Sequence, residues 1–256
     1  MGIVRITNYF DDYRLRALAP DFHDMAGRDG KEALTEFVNA EIAKRMDFCG
    51  GDVLVDVGCG NGKLLELAGA SLKRRIGVLP TEEEQSRVQV EKPDLDIRVG
   101  LVQSLPLEPA VASKIVCNAV LLYMESGEDT RRALREIARI AVPGAKIWLG
   151  EIPDSDDYAR FQQYRGTSVI GLLCHLWQQG GVRPFLGMLR RLAKSVVGRD
   201  QVILSSAGLY YAKPDDFIAV ASECGLRLVD YFRHRELDEA GRVVDSPSRY
   251  DYLFTV

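Results

Sequence analysis

The sequence predicts an α/β fold built on a doubly wound, open and mainly parallel sheet. Apolar strand-like runs alternate with helical patterns at spacings that suit right-handed βαβ units. The first of these runs, Val53 to Val57, is apolar except for Asp56, as expected of a strand buried on both faces. It breaks at once into glycines at alternate positions, Gly58, Gly60 and Gly62, ahead of a helix from Lys63 to Ala70. A strand feeding a glycine turn feeding a helix is a ligand cradle. The turn takes positive φ values at no steric cost, and the free N–H groups of the helix start point at whatever lies against it.

The other elements follow in order. Residues 1–29 give no clean period, with Tyr9, Phe10 and Tyr13 close together. From Lys31 to Phe48 the positions Leu34, Phe37, Val38, Ile42 and Met46 recur at helical spacing, and Gly50-Gly51 stops that helix. Arg74 to Leu79 reads as a strand, Glu82 to Val90 as a helix, and Ile97 to Gly100 and Lys114 to Val120 as strands. Ser126, with Asp129 three residues on, opens a helix carrying Leu134, Ile137, Ala138 and Ala141, which ends before Pro143-Gly144. Ala145 to Ile152 is the next strand. After Pro153 the pattern lapses for some sixty residues, then resumes with a helix over Lys213 to Gly225. The strand Leu226 to His234 and, after a turn-like Asp245-Ser-Pro247, a last strand Tyr250 to Val256 close the chain as an edge hairpin. The expected division is an N-terminal helical segment 1–51, an α/β core of 52–152 and 213–256, and a mainly helical cap insertion 153–212.

Composition narrows the function. The 256 residues can build a full core, and a net charge of −4 leaves no general footprint for nucleic acid. The five cysteines are scattered and form no Cys-x-x-Cys or Cys/His cluster, which suits a reducing compartment and argues against a metal site. Met1 to Tyr13 already contains Arg5, Asp11 and Asp12, and no stretch reaches membrane-spanning length, so a cytoplasmic protein without stable membrane insertion is expected.

The phrase Asp56-Val57-Gly58-Cys59-Gly60-Asn61-Gly62 resembles the first motif of class I S-adenosylmethionine-dependent methyltransferases. The nicotinamide and flavin spacing Gly-x-Gly-x-x-Gly fails, because position 63 is Lys. The resemblance implies a Rossmann-like seven-stranded sheet and S-adenosylmethionine as cofactor, with Asp56, Gly58, Cys59, Gly60, Asn61 and Gly62 against its amino-acid part. In open sheets the ligand lies beyond the carboxyl ends of the strands. There the family carries an acid for the ribose hydroxyls, where this chain reads Leu79-Pro80. It often carries an Asp for the adenine amino group, where this chain reads Leu101-Val102-Gln103. Both acids are absent; one of Glu82, Glu83 or Glu84 reaching back to the ribose and Gln103 holding the adenine would compensate. The same glutamates also suit the first turn of a helix by its dipole alone.

Cys117-Asn118-Ala-Val-Leu-Leu-Tyr123 is similar to the stretch that lines cofactor and acceptor in the family, which marks Asn118 and Tyr123. Tyr123 either faces the reacting groups or packs under the next helix. Glu151 ends a strand at the same crevice, as a hydrogen-bond partner of the acceptor or as a base. In the insertion, Val182, Phe185, Leu186, Leu189, Leu192, Ala193 and Val196 form a helical stripe with Arg183, Arg190, Arg191 and Lys194 off it. That face fits an anionic or lipid-linked acceptor, with peripheral membrane contact, or a solvated basic surface. His175 is a catalytic candidate or a buried, satisfied histidine, and His234 is a comparable case. The expected activity is methyl transfer to a small-molecule, natural-product or glycan- or lipid-linked acceptor. The alternatives are a degenerate relative serving as a binding or scaffolding partner, and a cradle for a different nucleoside. A homo-oligomer is left open.

Overall fold

The computed structural model describes the chain except residues 1–2, 19–20, 27–30, 70, 158–165, 198–201, 206–209 and 239. Ala70, the expected end of the helix after the glycine turn, thus lies outside the described residues. In chain order the elements are β1 (Ile3–Ile6), α1 (Tyr9–Ala17), α2 (Glu32–Met46), β2 (Val53–Val57), α3 (Lys63–Leu67), β3 (Arg74–Leu79), α4 (Glu82–Glu91), β4 (Asp96–Val99), β5 (Ala112–Asn118), α5 (Gly127–Ile140), β6 (Ala141–Pro153), α6 (Val169–His175), α7 (Val182–Val196), β7 (Val202–Ser205), α8 (Pro214–Glu223), β8 (Arg227–Leu237) and β9 (Val243–Thr255). They form two compact units, residues 1–12 with 159–208 and residues 13–158 with 209–256.

The larger unit holds a seven-stranded sheet of order β4-β3-β2-β5-β6-β9-β8. Its first five strands are parallel, and β9 runs antiparallel between β6 and β8. Alternate side chains feed opposite faces, the period-two rule for a strand. Leu54 and Val116 join a core with Val38, Ile42, Met46 and Trp148, while Val55, Val57 and Ile115 join another with Leu134, Phe217 and Phe254. Both faces are therefore dry. The strand order reverses at β2 and β5, which sets the ligand crevice at their carboxyl ends.

Two boundaries differ from the sequence reading. The Pro143-Gly144 stop lies inside β6, which begins at Ala141 paired with Ala112. The expected turn at Asp245-Ser-Pro247 lies inside β9, and the hairpin instead turns where Asp238 N–H and Gly241 N–H donate to Arg242 O and Asp238 O. Pro247 is tolerated because the β6 ladder stops at Arg249 and the β8 ladder is irregular between the pairs Arg233–Tyr250 and Arg235–Asp245, so no ladder hydrogen bond is asked of residue 247.

In the smaller unit β1 pairs in parallel with β7, from Ile3 opposite Val202 to Ile6 opposite Ser205. Arg5 Nε donates to Thr167 O at 3.0 Å. Leu172, Val202 and Leu204 are its buried core, flanked by Ile3, Val169, Met188 and Leu192.

Candidate active site

The glycine turn is built as the sequence demands. Gly58, Gly60 and Gly62 all have positive φ, 76°, 53° and 70°. Gly58 N–H donates to Val78 O at 2.8 Å, tying the turn to β3. A Cβ on Gly58 would stand 2.3 Å from Val120 Cγ2, and one on Gly62 2.9 Å from Leu95 Cδ1. The turn is thus closed on its protein side and shaped by the absence of side chains. Asn61 Oδ1 accepts from Lys63 N–H at 3.2 Å at the start of α3, whereas its buried Nδ2 has no partner among the described residues. Asp56 is buried at the end of β2, and burial pushes its carboxyl pKa up to about 7. Cys59 is buried too; burial, then the nearby Asp56 and Glu84 carboxylates, push its thiol well up, so it stays a protonated apolar group.

At the next strand end Leu79 is fully buried in the α2-side core with Leu65, Val88 and Met25, and Pro80 is half-buried. Thr81 caps the helix and holds Glu84: Thr81 Oγ1 donates to Glu84 Oε2 at 2.7 Å and accepts from Glu84 N–H at 3.3 Å. Glu83 accepts from Arg14 Nε at 2.9 Å, and Glu82 is exposed. The helix start itself thus accounts for much of this acid run. After β4, Gly100 N–H donates to Leu79 O and Ser104 N–H to Leu101 O, which folds residues 100–106 into a tight turn. Val102 is buried and Leu101 half-buried. Gln103 Oε1 is buried and accepts no hydrogen bond from the described residues.

Past β5, Ala119 has φ 56° and the chain turns through Val120 into a short helical turn, Leu121–Tyr123. Tyr123 is half-buried and meets the edge of Tyr13, centroids 5.7 Å apart. The later part of α1 therefore bridges two strand ends, through Tyr13 to the β5 side and Arg14 to the β3 side.

Asn118 and Glu151 belong to a buried polar network that sequence reasoning did not find. Asn118 Nδ2 donates to Glu151 Oε1 at 3.0 Å, and Asn118 Oδ1 accepts from Trp148 Nε1 at 3.2 Å. Arg249 donates to Glu151 Oε2, and Glu151 N–H donates to Asp251 Oδ1 at 2.8 Å. Asp251 in turn meets His234 Nδ1 at 2.9 Å. Burial alone would lower the His234 pKa, but the Asp251 hydrogen bond and the Glu151 charge outweigh it, and the net shift is upward. Glycine is required at 150 because a Cβ there would stand 2.0 Å from Asn118 Oδ1 and 2.3 Å from Trp148 Nε1. Arg249 and Asp251 carry no local signal; only the pairing of β9 with β6 brings them to Glu151.

Asp56, the glycines, Leu79, Gln103, Asn118, Tyr123 and Glu151 thus all lie near or just past the carboxyl ends of strands of one unit. His175 ends α6 in the other unit.

Residues 55–149 match the family described as Methyltransferase domain. Over 155 residues the chain is 23% identical to the O-methyltransferase resE of Aspergillus sclerotiorum, covering 56% of this chain and 58% of that one. The chain thus spans less than two thirds of that relative's length. Among solved structures, the methyltransferase in complex with the Haloferax volcanii Trm112 methyltransferase activator is similar with a TM-score of 0.62 at 16% identity, covering 95% of this chain and 97% of that one. The N-methyltransferase NodS of Bradyrhizobium japonicum WM9, in complex with S-adenosylhomocysteine, is similar with a TM-score of 0.59 at 12% identity, covering 97% and 98%. Sheet order and glycine turn define a class I methyltransferase fold. Residues 55–149 thus carry a methyltransferase domain match, and the chain shares the fold of S-adenosylmethionine-dependent methyltransferases.

Proposed function

We propose that this chain transfers a methyl group from S-adenosylmethionine to a small-molecule acceptor. The observation that carries the reading is the cradle: a buried carboxyl, Asp56, beside three glycines in positive φ. The residues fit the cofactor on two further counts, since Asn61 Nδ2 and Gln103 Oε1 are buried polar atoms with no partner among the described residues. When bound, S-adenosylmethionine supplies a methyl group activated on a sulfonium. Ionised Asp56 would hold its ammonium, the glycine turn would admit its backbone-like part, and Gln103 Oε1 would accept from the adenine amino group. Leu79 leaves the ribose without a carboxylate at the usual place.

Displacement at a sulfonium methyl requires alignment and exclusion of water more than a strong base. Tyr13 and Tyr123 close the β5 side of the crevice and serve that end. Both oxygens of Glu151 already accept hydrogen bonds, from Asn118 and Arg249, so Glu151 acts as a positioning group rather than a base. The name of the resE relative, an O-methyltransferase, favours an oxygen nucleophile. Incubation with methyl-labelled cofactor and a panel of phenolic, carboxylic and lipid-linked acceptors tests this reading. Transfer of label supports it, and tight cofactor binding with no transfer to any acceptor would favour the alternative.

That alternative is a methyltransferase-like binding or scaffolding protein. It is favoured by one observation: Leu79 is sealed in the core, and the glutamates at 83 and 84 engage Arg14 and Thr81.

A further inference from the structure

We infer that the smaller unit docks on an anionic lipid surface through one side of α7. The charge distribution is the first ground. Residues 1–12 and 159–208 contain eight basic and three acidic side chains, a net of +5, so the rest of the chain carries −9. From Gly166 to Gly198 there is no Asp or Glu, although the chain has 37.

The second ground is the helix itself. At 100° per residue, Val182, Leu186, Leu189, Ala193 and Val196 fall within about 80° of arc. All five are exposed, Leu186 by 47% and Val196 by 83%. They are not the packed face, because Met188 and Leu192 on another side of α7 pack against the unit's own core. Arg183, Arg190 and Lys194 are exposed along one margin of the apolar strip. Trp177, just ahead of α7, is 57% exposed with its ring against Phe185. An exposed apolar strip with a purely cationic margin and an aromatic at its end is the pattern of a helix lying in the plane of a membrane interface. Nothing acidic on this stretch would oppose a negatively charged surface, which distinguishes it from an ordinary solvated helix. The inference does not rest on the methyltransferase reading.

Co-sedimentation of the full chain with vesicles of phosphatidylcholine alone, and of an equimolar mixture with phosphatidylglycerol, tests the inference. The expected result is binding to the mixed vesicles only, reduced by salt, with a blue shift of emission from Trp177; Trp148, the other tryptophan, is already buried. Arg190→Glu and Lys194→Glu together should lower the partition coefficient by at least roughly fivefold for each residue changed. Leu186→Ser with Leu189→Ser should abolish the blue shift, with an unchanged thermal melt. Absence of binding to the mixed vesicles, equal binding to both kinds, or a serine pair that binds as wild type would overturn the inference. The first of these outcomes would leave the patch to a soluble anion or an acidic protein.

Discussion

A methyl of Val120 stands 2.3 Å from the place a Cβ on Gly58 would occupy, so the chain leaving β5 closes directly on the turn leaving β2. The two strands are neighbours in the sheet, and their carboxyl ends meet at the point where a cofactor would lie. Any side chain at 58 must displace Val120 and also adopt φ 76°.

Gly58→Ala should therefore lose S-adenosylhomocysteine binding by tenfold or more while the chain still folds. The left-handed backbone alone costs about 1–2 kcal/mol. Calorimetric titration, with a thermal melt alongside, measures both effects.

Gln103→Leu separates binding from folding. Gln103 Oε1 is buried without a partner among the described residues, so removing it should leave the melting temperature equal to or above that of wild type. Affinity for S-adenosylhomocysteine should fall about tenfold, the worth of one hydrogen bond near 1.4 kcal/mol. Unchanged affinity would remove Gln103 from the site.

The Asp56 carboxyl has a folded pKa of about 7, above its ordinary value of 3.8. A raised folded pKa contributes stability that is full below pH 3.8 and lost as pH rises to about 7. Asp56→Asn should flatten that fall, read as melting temperature against pH. It should also remove the gain in S-adenosylhomocysteine affinity that wild type shows between pH 6 and pH 8, as Asp56 ionises opposite an ammonium.

The legible part of this chain is local. The Asp56-to-Gly62 turn and the Ser126 cap depend on residues within a few positions, and Ser126 Oγ does accept from Asp129 N–H at 3.1 Å. What could not be read depends on distant pairing. Ile3 meets Val202, and Arg249 meets Glu151, only after the sheet is assembled. Pro247 reads as a turn because its missing N–H normally ends a strand; it is harmless here, beyond the β6 ladder and within the irregularity of the β8–β9 pairing. Glu151 was legible as a residue at the crevice, but not as one whose oxygens are occupied.

The Asn118, Glu151 and Arg249 side chains should behave as one unit. Glu151→Gln weakens a charge-assisted hydrogen bond at a buried oxygen and should cost about 1.5–3 kcal/mol, a fall in melting temperature of about 3–12 °C. Adding Arg249→Gln should cost much less than it does alone, with a coupling of about 1–3 kcal/mol in the double-mutant cycle. Additive effects would mean that the pair is not coupled.

The most direct test of the cradle is calorimetric titration of the wild-type chain with S-adenosylhomocysteine. The expected result is one site per chain with a micromolar dissociation constant, Asp56, Asn61 and Gln103 offsetting the missing acids at Leu79 and Leu101. No binding at millimolar ligand would contradict the assignment of the cradle to this cofactor.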